Sequence, residues 1–361
     1  MSNDNPFFVH VGFHKTATTW FQNNFFNEHP QIQYLGKAYP DHPSFRMSEI
    51  KETIVSEPDT TYSARKTRRN LEDLLEDFPL NGHRTRGISY EGLSAGDNWF
   101  GGRTFYVGER LRDVFRDHDV KILMGIREQK SMVESMYSEY VKLGGAESFG
   151  RLFFSPFSEA DELLEKLRYG PIIEFYRNLF GEDSVKVYLY ERFRSEQDEV
   201  IEEICDFLGI DEPKLDEETA NRKSNARLSR WGLSAMRIAN HFFFGSLNNF
   251  SPVTMGSYLL SHLLRKFDYN TEELRENVDR DHEIALRFEQ DRRIQNQIRH
   301  HTNNLIEGLD QQWFRGKSEH RFTLDDDVES YISDYYRNPN QRLQQLLEPD
   351  VSEYGYDLPV D

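Results

Sequence analysis

The chain has 361 residues, with 62 Asp and Glu against 44 Lys and Arg, a formal net charge of −18, and one cysteine. That length can bury a substantial core in one large or two small domains, and the acidic balance excludes a general nucleic-acid binder, whose phosphate contacts need basic surface. Cys205 alone excludes an intrachain disulfide and a cysteine-built zinc cluster, and its apolar neighbours Ile204, Phe207 and Leu208 make it a buried structural residue.

No basic leader with an apolar stretch precedes the first strand, and no run approaches the length of a spanning helix, so a cytoplasmic location is expected. The run Phe7–Val11 is β-branched and aromatic, as a buried strand requires, and Gly12 breaks it where the chain must turn. A helix is expected to start at Thr18 or Thr19 and to end near Asn27, before His29-Pro30. Between strand and helix lie His14, Lys15, Thr16 and Ala17. Unpaired amides at the helix start, the Lys15 ammonium and the hydroxyls of Thr16, Thr18 and Thr19 are expected to face one anionic pocket suited to a phosphate. The order differs from G-x-x-x-x-G-K-[ST], because the second glycine is absent and Lys-Thr is followed by Ala-Thr-Thr-Trp. Ala17 is tolerable there if its φ is negative.

A short segment Gln33–Leu35 leads into a proline-containing stretch where Asp41 and His42 are secondary candidates for a base. Residues 61–78 carry Leu71, Leu74, Leu75 and Phe78 at helical spacing and are expected to form a solvated helix over the sheet. Gly87–Ser94 reads as a strand that turns at Gly92, with Glu91 at its end. Ligands of doubly wound sheets bind at the carboxyl ends of strands, so Glu91 points toward the same crevice as Lys15 and is the preferred general base. Val120–Ile126 is a buried strand ending in Arg127, followed by a helix through Tyr140. An ATPase would place an Mg²⁺-holding aspartate at such a strand end, whereas an arginine fork grips a phosphate.

Val185–Leu189 is a further strand, Ser195 and Asp198 are placed like a capping box, and Gly209 stops the helix that follows. From 219 to 267 the 49 residues contain no acid, yet hold Arg222, Lys223, Arg227, Arg230, Arg237, Arg265 and Lys266. This segment is expected to border the anionic ligand. Its aromatic residues, among them Trp231, Phe242 and Phe250, belong either to the core or beside an acceptor cleft, with peripheral contact to an anionic membrane through 222–266 as a further reading. His300-His301 reads as a solvated pair.

His14-Lys15-Thr16-Ala17-Thr18-Thr19-Trp20 resembles the phosphosulfate loop, usually K-[ST]-G-T-T-[WL], of sulfotransferases that use 3′-phosphoadenosine 5′-phosphosulfate (PAPS), and the chain is similar to their bacterial members. Arg127 and Ser135, eight residues apart, resemble the family's 3′-phosphate motif. The stretch from Tyr190-Glu191 to Phe207-Leu208-Gly209 is similar to its Y-E…F-L-G segment, and Arg222-Lys223 more distantly to the pair covering the 3′-phosphate. The resemblance implies a P-loop-like three-layer α/β fold, a central parallel sheet flanked by helices, with a PAPS-binding core over 1–215 and a helix-rich C-terminal part over 216–361. It implies PAPS as cofactor, adenosine 3′,5′-bisphosphate as product, and no metal. Lys15 would stabilise the leaving group, Glu91 or His42 act as base, and Trp20 and Tyr190 pack against adenine. The acceptor would be a glycan, lipid or small molecule. An Mg-ATP-dependent kinase and a non-catalytic nucleotide-binding scaffold are the alternative readings.

Overall fold

The computed structural model describes residues 6–36, 43–95, 104–154, 164–213, 228–242, 298–313 and 322–359. Asp41, His42, Arg222 and Lys223 lie outside them. The chain divides into two compact units, one of Met1–Met132, Phe157–Asn225 and Asp325–Asp361, the other of Val133–Pro156 and Ala226–Leu324.

The first unit is built on a five-stranded sheet in the order β2-β3-β1-β4-β5, with β1 Phe7–His10, β2 Ile32–Tyr34, β3 Thr85–Ser89, β4 Val120–Ile126 and β5 Val185–Leu189. All its pairings are parallel. Parallel strands need crossovers that bury both faces, which is why β1 and β4 read as near-continuous apolar runs. The fold is thus the expected P-loop-like α/β type, a central parallel sheet flanked by helices. From the middle strand β1 the chain goes to one side for β2 and β3, then crosses to β4 and β5, and such a reversal opens a crevice at the strand ends.

The helix after the loop begins at Thr18, as expected, but only Thr18–Trp20 is α-helical, and Phe21–Phe26 continues as a wider π-helical stretch. That stretch packs Phe21, Phe25 and Phe26 against Phe8, Leu123, Tyr188, Phe193 and the helix Gln197–Leu208, in a core that includes Cys205. The expected helix over 61–78 is observed as Ala64–Asp77, with Ser63 accepting from the Lys66 amide at 3.4 Å. A helix over Pro43–Ser56, absent from the sequence reading, packs in the same layer. The capping box at Ser195 is a correction. Glu196 is the N-cap of Gln197–Leu208, and the Ser195 hydroxyl instead donates to the carbonyls of Glu191 and Arg192. Gly209 ends that helix at φ 71, as expected.

In the second unit Ser229 caps the helix Arg230–Asn240 by accepting from the Gly232 amide at 3.0 Å. Buried Asp310 holds this cap, taking the Ser229 amide at 2.9 Å and the Ser229 hydroxyl. Trp231 and Phe242 are exposed, and His300 and His301 are solvated. Among the described residues no helix is long and apolar enough to cross a membrane.

Candidate functional site

The loop leaves β1 alongside β4, with the Val11 amide on the Leu123 carbonyl at 2.9 Å and the Phe13 amide on the Gly125 carbonyl at 3.2 Å. It then turns through two left-handed residues, Lys15 and Ala17, each at φ 67. The expectation that Ala17 has a negative φ is corrected. A non-glycine residue in this region costs roughly 1–2 kcal/mol, so surrounding contacts must hold the turn.

Those contacts are present on both sides of Thr16, whose side chain is fully buried and donates to the Phe13 carbonyl at 2.7 Å. Its carbonyl accepts the Tyr188 hydroxyl at 2.9 Å. The Lys15 carbonyl accepts Nη1 of Arg127 at 3.1 Å. Thr18 donates its hydroxyl to Oε1 of Glu91. The expected convergence of three threonine hydroxyls on one pocket is therefore corrected, since those of Thr16 and Thr18 are committed to protein groups while Thr19 is exposed. The Lys15 ammonium and the loop amides remain the anion-facing candidates.

Glu91 lies just past β3, at the carboxyl end of the sheet, in the turn before the short helix Gly92–Ala95. Besides Thr18 it binds Nδ1 of His14 at 2.7 Å, with the two side chains 28% and 20% exposed, open enough to meet a substrate. Burial would raise the Glu91 carboxyl, but the hydrogen bonds of His14 and Thr18 with the nearby charges of His14 and Lys15 outweigh it. Its pKa lies below the ordinary carboxylate value. An ionised carboxylate beside an imidazole at the edge of this loop can accept a proton, the imidazole sharing it.

Arg127 follows β4 where the sequence places it, 4% exposed, with its guanidinium over the Tyr190 ring at 4.4 Å. Its Nε donates to Ser131 at 2.9 Å. The arginine thus bonds the serine four residues on, while Ser135 lies one turn further along the helix Gln129–Lys142. Glu128 caps that helix, accepting the amides of Lys130 and Ser131 at 2.8 Å each. Glu191 in turn accepts the Glu128 amide at 3.1 Å, and its buried Oε2 has no hydrogen-bond partner among the described residues. Burial dominates there, and the Glu191 pKa is raised to about 7. Trp20 is a residue expected to pack against adenine. It is 5% exposed and packs edge-on against Phe21 and Phe193 in the core.

Sequence reasoning missed His10, Tyr188, Gly125 and Ser131. Two signals were available: a histidine inside the apolar run of β1, and a glycine inside the buried strand β4, which marks a close approach. A Cβ at position 125 would collide with the Tyr188 ring and lie 2.8 Å from Thr16 Oγ1.

Fold and site together define an α/β protein of P-loop type, with its loop at the carboxyl end of the middle strand and Glu91 and Arg127 brought to that loop from β3 and β4. Among the solved structures to which the chain is similar are several sulfotransferases. For a sulfotransferase from Alicyclobacillus acidocaldarius the identity is 19% and the TM-score 0.43, over 61% of this chain and 87% of that one. For the sulfotransferase domain from the curacin biosynthetic pathway the values are 13% and 0.36, over 61% and 78%. For the sulfotransferase domain of the Synechococcus PCC 7002 olefin synthase they are 14% and 0.36, over 63% and 80%. No family model matches the chain, and no curated protein matches it in sequence.

Proposed function

We propose that the chain is a PAPS-dependent sulfotransferase acting on a hydroxyl or amine of a glycan, lipid or small-molecule acceptor. The observation that carries this reading is the junction at one loop of three groups from three strand ends. Lys15 follows β1, Glu91 follows β3 and is tied to the loop by His14 and Thr18, and Arg127 follows β4 and is tied to the Lys15 carbonyl. When bound, PAPS supplies a sulfuryl group on a phosphate that leaves as adenosine 3′,5′-bisphosphate.

The chain's own residues do the rest. Lys15 and the loop amides neutralise charge on the departing phosphate oxygen, and removing such a donor costs about 10²–10³ in rate. Glu91, kept ionised, takes the proton of the acceptor, with His14 sharing it through their 2.7 Å hydrogen bond. Arg127, seated on Tyr190 and braced by Ser131, presents fixed positive charge to the 3′-phosphate, and Ser135 adds a hydroxyl to the same selection. With fixed cations at both phosphates no metal is required. Arg222 and Lys223 would cover the 3′-phosphate, and His42 is the second candidate base.

The test is acceptor-dependent release of adenosine 3′,5′-bisphosphate from PAPS, in EDTA, over pooled phenols, glycans and lipids. The expected result is release with one pool that falls about 10²-fold in Lys15→Ala. Release from no pool, with ATP consumed in its place when Mg²⁺ is added, would overturn the assignment.

A further inference from the structure

We propose that His10 and Tyr188 are positioning residues of the loop: they anchor the Thr16 carbonyl to the sheet and so hold the glycine-free turn at Lys15 and Ala17 in the shape that receives an anion. The proposal rests on the reading of this loop as the binder of the 5′-phosphate group.

The anchor is a directional chain of hydrogen bonds. Tyr188 has one phenolic proton, and the Thr16 carbonyl, 2.9 Å away, can only accept it. The Tyr188 oxygen must then accept from Nε2–H of His10, at 3.0 Å. That fixes the tautomer, leaving Nδ1 of His10 to accept the Ser89 hydroxyl at 2.8 Å, and Ser89 to accept from the Gln22 amide at 3.1 Å. His10 is fully buried. Desolvation holds its pKa near 3, against the opposite pull of the Glu91 charge, so the imidazole is neutral and the direction of the chain does not reverse near neutral pH.

Space for the anchor is cleared by glycines outside the turn. A Cβ at Gly12 would sit 3.0 Å from His10 Nε2 and collide with Thr18, and one at Gly125 would strike the Tyr188 ring. Without that glycine Tyr188, on β5, could not reach across β4 to the loop. Meanwhile residues 13–19 contain no glycine, although Lys15 and Ala17 both lie at φ 67. Conformational freedom that a glycine would give the turn is replaced by a buried tether on the residue between the two left-handed positions. A carbonyl held toward the sheet cannot swing toward the anion, where its negative end would oppose binding.

The test compares adenosine 3′,5′-bisphosphate with adenosine 3′-monophosphate, which lacks only the group the loop would hold, by calorimetric titration of the wild type, Tyr188→Phe and Ser89→Ala. Amide hydrogen exchange of peptides covering 11–20 is measured on the same three proteins without ligand. Losing one hydrogen bond predicts that Tyr188→Phe weakens the bisphosphate about five- to tenfold and leaves the monophosphate within about twofold. Ser89→Ala, which removes the far end of the chain and is the fallback should the phenylalanine variant fold poorly, gives a smaller change of the same kind. Loop peptides exchange faster in both variants while β4 peptides do not. Unchanged exchange at 11–20, or equal losses for both nucleotides, would overturn the proposal. If the wild type gains nothing from the 5′-phosphate, the nucleotide reading fails and the exchange comparison alone decides the anchor.

Discussion

Replacing Glu191 by glutamine should make the protein less sensitive to rising pH. The Glu191 carboxyl is buried, its Oε1 accepts the Glu128 amide at 3.1 Å, and Oε2 has no hydrogen-bond partner among the described residues. Desolvation is the largest influence, ahead of the hydrogen bonds and the Arg127 charge that favour ionisation, and the pKa is raised from 4.5 to about 7. Between those values the folded state holds a proton that the unfolded state has lost, so stability falls as pH rises through the window. At 1.36 kcal/mol per pKa unit the span corresponds to roughly 3 kcal/mol, present in full below the unfolded value and lost above about pH 7. Glutamine keeps the acceptor at Oε1 and cannot ionise. Urea denaturation at pH 5 and pH 8 should therefore show wild type losing roughly 2–3 kcal/mol more than Glu191→Gln over that interval. Equal pH dependence in the two proteins would refute the reasoning and place Glu191 in contact with water or a cation.

Three further outcomes are expected. Gly125→Ala drives a methyl group into the Tyr188 ring and toward Thr16, so it should cost about 1–3 kcal/mol in thermal unfolding and weaken nucleotide binding as well; a neutral effect on both would show that Tyr188 moves freely. Ala17→Gly relieves the left-handed strain at φ 67 and should raise stability by up to about 1 kcal/mol, offset by greater freedom of the unfolded chain. A marked loss of stability would mean the alanine methyl, packed against the aromatic core, matters more than the backbone. Once an acceptor is found, Glu91→Gln should lower kcat by about 10²–10⁴ while changing bisphosphate affinity little, and full retention of kcat would remove Glu91 as base.

The sheet was legible because β1, β4 and β5 are apolar runs bounded by turn residues, and parallel strands buried on both faces must read that way. The position of Arg127 was legible for the same reason, since it stands where the apolar run of β4 stops, whereas Glu91 follows the short, mixed strand β3 and was placed by the turn at Gly92. The conformation of the loop was not. Nothing in lysine or alanine selects a positive φ, and the groups that enforce it come from residue 188 and residue 127, far away in sequence. The packing of Trp20 was not legible either: motif resemblance places it beside the nucleotide, and the turn of the helix carries it with Phe21 toward Phe193. Ser131 was overlooked since a spacing of eight drew attention to Ser135, although four residues is one helical turn and brings a side chain back to Arg127.

The central claim, a metal-independent site for adenosine carrying phosphates at both 3′ and 5′ positions, is tested most directly by one titration. Adenosine 3′,5′-bisphosphate and ADP are compared calorimetrically in EDTA on the wild type and on Arg127→Ala. The account predicts that the bisphosphate binds at least about tenfold more tightly than ADP without metal and that the substitution abolishes the preference, the loss expected for one charge-assisted contact. Equal binding of the two nucleotides, or binding of ADP only when Mg²⁺ is supplied, would contradict it.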